Sequence, residues 1–272
     1  MPELPEVETT RVGIAPHIEG QIIERVIVRD YRLRWPIPAD IEKILTGQQI
    51  LQVQRRAKYL LFKTPTGTLI MHLGMSGRMR VVDTPVKPAK HDHVDITFRN
   101  GLTLRFTDPR RFGAMLWTTT STDLHPLIHH LGPEPLSEDF TGDSLYQRSR
   151  KRQVSIKTFI MNAEIVVGVG NIYASEACFL ARLHPEMKAG KLTRPQAERL
   201  ATAIKTVLEK AIAAGGTTLR DFRDAAGNPG YFAQKLFVYA RANQPCRHCD
   251  QIIVQCRQAN RATFFCPGCQ KG

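Results

Sequence analysis

His93-Val-Asp-Ile-Thr-Phe-Arg-Asn-Gly-Leu-Thr-Leu-Arg-Phe106 decides the fold class. Val94, Ile96 and Phe98 alternate with polar residues, Asn100-Gly101 supplies a type I′ turn, and Leu102, Leu104 and Phe106 alternate back. A period of two puts the apolar side chains of both arms on one side, so the stretch predicts a hairpin with one buried face. Working outward, Ile22–Arg29, Ile50–Arg56, Tyr59–Lys63 and Thr68–His72 are further β-rich runs, the last two joined by Pro65-Thr66-Gly67. Several such pairs predict an antiparallel β-sandwich of about 120 residues behind a short N-terminal helix.

Past that point the period changes. Residues 121–150 are mixed and turn-rich, and Leu131-Gly-Pro-Glu-Pro-Leu-Ser-Glu-Asp-Phe-Thr-Gly-Asp143 reads as a hinge. Thr193-Arg-Pro-Gln196 has the form of a capping box. Ala197, Leu200, Ile204, Val207, Leu208, Ala211 and Ile212 then keep the spacing of an amphipathic helix, which Gly215-Gly216 ends. From Phe237 onward short strand-like runs alternate with cysteines. The prediction is a multidomain α+β chain: a sandwich over 1–120, a linker over 121–150, a helical domain over 151–236 and a finger over 237–272.

Lys and Arg number 38 against 25 Asp and Glu, a formal charge of +13 on 272 residues. A globular chain this basic suits a polyanion, and nucleic acid more than a membrane surface. No apolar run is long enough to span a bilayer, and the acidic N-terminus is unlike a secretory signal, so the expected location is the cytoplasm. Cys246-Arg-His-Cys249, sixteen intervening residues and Cys266-Pro-Gly-Cys269 form two knuckles that suit one zinc ion better than two disulfides. Four thiolates close the coordination sphere, so the expected Zn2+ is structural. Lys235, Arg241, Arg247, Arg257, Arg261 and Lys271 surround the knuckles against Asp250 alone. Such a finger reads as a groove-inserting element or as a solvated basic face.

Other stretches also read two ways. Arg148, Arg150, Lys151, Arg152 and Lys157 are a solvated linker or a phosphate-binding surface. Beside them, Val166–Glu176 sets Gly168 and Gly170 before Asn171, which would begin a helix where a phosphate is well placed. The Walker Gly-Lys-Ser/Thr is absent, so ATP is not indicated. Lys58 interrupts an apolar strand run, Met75 stands among glycines, and Arg110, Arg111 and Phe112 occupy a tight turn. Singly these are an edge lysine, a core filler and a surface cap; together they have the chemistry of a duplex-opening wedge. Pro2 and Glu3 open the chain, and removal of Met1 would leave a secondary amine beside a carboxylate.

Taken in order, PELPEVE, RRAKYLL, HLGMSG, KHDHVD, TDPRRFG, VVGVGNIYASE, GGTTLRDF and CRHC…RATFFCPGC span the chain and resemble the bacterial formamidopyrimidine-DNA glycosylases. The resemblance implies a helix-two-turn-helix within the helical domain and a zinc-ribbon-like finger, acting as a monomer on damaged double-stranded DNA. It implies removal of oxidised purines, then strand cleavage by β,δ-elimination. It makes Pro2 the nucleophile, Glu3 a proton-transfer group, and Lys58 a phosphate contact that assists acid–base steps. Met75, Arg110 and Phe112 would fill the vacated stack, with Arg110 on the estranged cytosine. His91, Arg152 and Asn171 would hold the DNA backbone, and Arg261 the phosphates at the lesion. Residues 217–231 would cover the flipped base. Three sites depart from the family pattern: Asn162-Ala163 in place of Asp-Gln or Asp-Asn, Arg220 in place of lysine, and Asn260 in place of glycine. The first puts a local loop anchor in question; the last is expected to matter little, because asparagine tolerates positive φ. The sister family, endonuclease VIII, is expected to open Pro-Glu-Gly-Pro-Glu and to lack Asp-Pro-Arg-Arg-Phe. Leu4 and Arg110 therefore favour the first family over an enzyme for oxidised pyrimidines. A non-catalytic DNA binder would have no use for Pro2, Glu3 and Lys58 together.

Overall fold

The computed structural model describes residues 2–217 and 235–271. The chain forms two compact units, Met1–His129 with Ala214–Tyr231, and His130–Ala213 with Phe232–Gly272. The first is the predicted sandwich. Helix α1 (Leu4–Ile18) precedes β1 (Ile23–Val28), a short α2 (Ile41–Leu45) and seven further strands. These are β2 (Gln52–Arg56), β3 (Tyr59–Thr64), β4 (Gly67–His72), β5 (Arg78–Asp83), β6 (Asp92–Phe98), β7 (Leu102–Thr107) and β8 (Ala114–Thr118). They build two antiparallel sheets, β1-β6-β7-β5 and β2-β3-β4-β8. The core between them includes Phe62, Leu69 and Met71 from one sheet and Ile96, Phe98, Leu104 and Phe106 from the other.

Two expectations need correction. The N-terminal helix is fifteen residues long, not short, and contains Pro16 near its end. It is buried along much of its length and reaches the edge strand β2: Arg11 donates to the Val53 carbonyl, and Glu19 accepts from the Val53 N–H. Those side chains occupy backbone groups that a bare sheet edge would offer to another strand. The second correction concerns the β6–β7 hairpin, which is buried on both faces. Arg105 binds both Asp95 oxygens (2.8 and 2.9 Å) and the Val86 and Lys87 carbonyls, while Arg29 reaches Asp95 at 2.6 Å. Alternating polar residues here form an enclosed ionic face, not a solvated one.

Burial pushes the Asp95 carboxyl up, but Arg105 and Arg29 outweigh it and hold the group below its usual value. Asp95→Asn leaves Arg105 enclosed without its bidentate partner and should cost about 3 kcal/mol at neutral pH. A depressed folded pKa stabilises above the unfolded value, near pH 4, and the benefit fades as pH falls through the folded one. Denaturant unfolding at pH 7 and pH 3 should therefore show the deficit shrinking in acid; an equal deficit at both would show that the Asp95 charge contributes nothing.

The second unit holds α3 (Gly142–Ser149), α4 (Ile156–Ile160), α5 (Asn171–Leu180), α6 (Arg194–Ala213) and the hairpin β9 (Val254–Gln258)–β10 (Arg261–Phe265). The capping box at α6 forms: Thr193 N–H donates to Gln196 Oε1 at 2.9 Å, and Gln196 N–H to Thr193 Oγ1 at 3.4 Å. Beyond α6, Gly215 and Gly216 take φ of +73° and +80°. No described helix is long and apolar enough to cross a membrane.

Candidate active site

In the first unit, Pro2 and Glu3 are buried immediately before α1. Glu6, one turn along, accepts the Glu3 N–H on its Oε2 (2.8 Å) and the Thr217 N–H on its Oε1 (2.8 Å). The chain terminus is thus held by a carboxylate that also pins the start of the segment proposed to cover the base. The rest of that segment, including Arg220, lies outside the described residues. Lys58 follows Ala57, whose φ of +55° makes the β2–β3 turn. Glu8 of α1 binds Arg55 at 2.9 Å, and Arg55 donates to the Ala57 carbonyl at 3.0 Å. One ion pair therefore joins the helix that follows Pro2 to the turn carrying Lys58.

His72 ends β4 with its Nδ1 accepting from the Gly74 N–H at 3.0 Å. Burial, then the charges of Lys58 and Arg34, lowers its pKa to about 4, so the ring is neutral at pH 7 and keeps the lone pair that holds Gly74. The next residue, Met75, is 37 % exposed, and Phe112 is 44 % exposed. A methionine and a phenylalanine this open are not core filler. The Arg110 guanidinium lies 4.9 Å from the Phe112 ring centre. His91 stands half-buried at the foot of β6, where its carbonyl accepts from the Asp108 N–H.

In the second unit, Gly168 has φ +79° and Gly170 caps α5, so Asn171 is the first helical residue, as the motif predicts. Its amide is not free for any orientation. Asn171 Oδ1 accepts from Lys157 Nζ (2.5 Å), while Nδ2 donates to the Ala262 carbonyl (2.9 Å) and Tyr239 Oη (3.3 Å). Lys157 also donates to Thr263 Oγ1 at 2.7 Å and is 2 % exposed. Of the basic stretch, Lys157 is a buried strut, whereas Lys151 and Arg152 face solvent. Ala259 and Asn260 turn the β9–β10 hairpin with φ of +44° and +61°, so asparagine does replace glycine there without loss of the turn. That turn leaves Arg261 exposed at the start of β10. Asn162 likewise serves its loop, accepting from the Glu164 N–H at 3.0 Å.

Sequence reasoning missed Glu6, Tyr239 and Glu176 as parts of these sites, and it read the enclosed Lys157 as solvated linker or phosphate-binding surface. Glu176 is fully buried and takes three backbone N–H groups, of Phe237, Val238 and Tyr239, at 2.8–2.9 Å. Burial raises its pKa, against the pull of those donors. It anchors the chain as it enters the finger. The available signal was a charged residue inside each apolar turn, Ile156-Lys157-Thr-Phe-Ile160 and Tyr173-Ala-Ser-Glu176.

The sulfur atoms of Cys246, Cys249, Cys266 and Cys269 all lie within 4.8 Å of one another, with Cys246–Cys269 at 3.8 Å and Cys249 at 3.4 Å from both Cys266 and Cys269. Tetrahedral Zn–S bonds of about 2.3 Å put sulfurs about 3.8 Å apart, so the four fit one structural zinc with no position left for water. The zinc knuckles sit under a small cluster of Phe179, Val238, Ile253 and Phe264.

A sandwich with Pro2 buried beside Glu3 ahead of its first helix, and a helical unit ending in a zinc finger with an exposed arginine, define a metal-stapled nucleic-acid enzyme. Residues 1–115 match the formamidopyrimidine-DNA glycosylase N-terminal domain, and residues 131–223 the formamidopyrimidine-DNA glycosylase H2TH domain. Formamidopyrimidine-DNA glycosylase of Pseudomonas putida (strain GB-1) is 56% identical over 271 residues, and that of Alkalilimnicola ehrlichii 55% over 277, each covering 100% of both chains. A mutant of the Lactococcus lactis Fpg, solved with a Fapy-dG containing DNA, superposes with a TM-score of 0.93 at 34% identity over 100% of both chains. MutM (Fpg) of Thermus thermophilus gives 0.88 at 39% identity, over 99% of this chain and 98% of that one. The chain belongs to the formamidopyrimidine-DNA glycosylase family, and is a DNA glycosylase and AP lyase of base-excision repair.

Proposed function

We propose that the chain excises oxidised purines, 8-oxoguanine and formamidopyrimidines, from double-stranded DNA opposite cytosine, with Pro2 as nucleophile. One observation carries the reading: Pro2 is buried beside Glu3 at a terminus that Glu6 holds in place. Once Met1 is removed, the Pro2 nitrogen attacks C1′ of the flipped nucleotide; the glycosidic bond breaks and the base leaves with its electron pair. The amine loses its proton, the sugar ring opens, and a C1′=N iminium remains. A secondary amine keeps that positive charge without protonation, which makes it a persistent electron sink. The helix N-terminus disfavours the ammonium form and keeps the nitrogen free. Glu3 moves the proton at the ring oxygen, and Lys58 supports acid–base steps at the adjoining phosphate. Loss of a 2′ proton expels the 3′ phosphate (β-elimination), and a second elimination expels the 5′ phosphate.

In this reading Met75, Arg110 and Phe112 fill the vacated stack; His91, Arg152 and Arg261 hold phosphates, and Asn171 does so through its backbone N–H at the start of α5, its side-chain amide being used internally. Residues 1–120 are the catalytic domain, 121–150 the linker, 151–236 the helical DNA-binding domain and 237–272 the finger, in a monomer working in the bacterial cytoplasm. Borohydride trapping on two duplexes tests the substrate class: 8-oxoguanine opposite cytosine, and dihydrouracil opposite guanine. Preferential capture on the first is expected. Preference for the second would assign the chain to oxidised pyrimidines, the chemistry of endonuclease VIII.

A further inference from the structure

We propose that Asp108 positions the two wedge loops against each other and thereby sets how strongly excision depends on the base opposite the lesion. This rests on the wedge reading given above. Asp108 is 0 % exposed, so it cannot touch DNA itself. Its Oδ1 accepts from Ser76 Oγ at 2.9 Å and from the Arg110 N–H at 3.3 Å; its Oδ2 accepts from the Gly113 N–H at 2.8 Å. Ser76 adjoins Met75, while Arg110 and Gly113 bracket the turn that presents Phe112. The Arg110 N–H also reaches Ser76 Oγ at 3.3 Å, which ties one loop directly to the other.

The backbone of Asp108 is used as well. Its carbonyl meets His93 Nε2 at 2.8 Å, and its N–H donates to the His91 carbonyl at 3.0 Å. One buried residue therefore joins the Met75 loop, the Arg110–Phe112 turn and the His91 segment. The loops also abut at the backbone: a Cβ on Gly74, where φ is +66°, would lie 2.4 Å from the Phe112 carbonyl carbon. With no room for slack, the distance between Met75 and Arg110 is set by the hydrogen bonds that cross the gap.

Every group facing the carboxylate is a donor, and an ionised carboxylate is acceptor only. An amide of the same shape turns an NH2 toward either Gly113 or the Ser76–Arg110 side, where the backbone N–H cannot reverse its role. Asp108→Asn should therefore loosen the turn without opening a cavity.

The measurement is the single-turnover rate of base release from 8-oxoguanine opposite cytosine divided by that opposite adenine. Arg110→Ala fixes the value of this ratio when the opposite-base contact is gone. Asp108→Asn should lower the ratio about tenfold, toward that value, in line with the loss of charge-assisted hydrogen bonds. Ser76→Ala, which removes one donor and keeps the rest, should lower it a few-fold. Leu45→Ala, a core truncation elsewhere in the sandwich, should reduce thermal stability and leave the ratio unchanged. If Arg110→Ala shifts the ratio while Asp108→Asn and Ser76→Ala do not, the positioning role is wrong. If Leu45→Ala shifts it equally, general destabilisation is the cause and the proposal is overturned. A ratio unmoved by Arg110→Ala would instead remove the wedge reading itself.

Discussion

Retaining Met1 on Pro2, through a one-residue extension that blocks its removal, should abolish borohydride capture while leaving duplex binding nearly intact. An amide nitrogen shares its lone pair with the carbonyl and is not a nucleophile. Loss of the attacking group should lower trapping by more than ~10³-fold, because what survives is only binding-derived rate enhancement. Binding to an abasic-analogue duplex should change by about twofold or less, since Arg152, Asn171 and Arg261 are untouched and phosphate contacts dominate affinity. The two measurements separate nucleophile from surface. Persistent capture by the blocked protein would show that another amine attacks, with Lys58 the first to test, since Glu8 and Arg55 tie its turn to the same helix.

Zinc removal should have the second large effect, with the opposite signature. The β9–β10 hairpin has two strands of five residues each, too little to hold itself in water. Its cluster with Phe179, Val238 and Ile253 is small, and the two strands expose Val254 and Arg261 to solvent. A four-thiolate zinc is worth about 10–16 kcal/mol in such a module, so chelation should unfold the finger outright. The loss reaches further than Arg261. Lys157 and Asn171 both bond to Ala262, and Lys157 also to Thr263, so without β10 the N-terminus of α5 loses the groups that orient its amide. Duplex affinity should fall at least ~100-fold, with a shallower salt dependence because fewer phosphates are neutralised. Metal analysis before chelation should find one zinc per chain. Unchanged affinity after complete zinc release would mean that the finger does not hold the duplex.

The two outcomes follow from how the machinery is divided along the chain. Pro2, Glu3, Glu6 and the exposed Met75, Arg110 and Phe112 stand on the first unit; the glycine-loop helix and the finger belong to the second. Chemistry and grip can therefore be removed separately. Asp108 belongs to neither list, and acts on specificity by spacing two loops.

Much of this was legible in the residues alone because it is local. A period of two broken by Asn100-Gly101 describes a hairpin whatever surrounds it, and two knuckles sixteen residues apart describe a zinc site because the four ligands carry their own chemistry. Thr193 and Gln196 cap α6 within three residues of each other, and Gly170-Asn171 opens α5 by the same local logic. Lys58 and Arg110 read singly as an edge lysine and a surface cap, and only together with Pro2, and by resemblance to the family's motifs, did they mark a site.

What the tertiary structure alone decided is where the buried charges go. Glu6 finds Thr217 across 211 residues, Lys157 finds Thr263 across 106, and Glu176 finds Phe237 across 61. Asp95 and Arg105 are ten apart and read as a solvated face until the 86–87 carbonyls close over them. Periodicity reports which residues prefer to leave water; it carries no information on which distant donor will meet a carboxylate once it has left. That pairing is set by packing within each unit, which decides the donor each buried carboxylate meets.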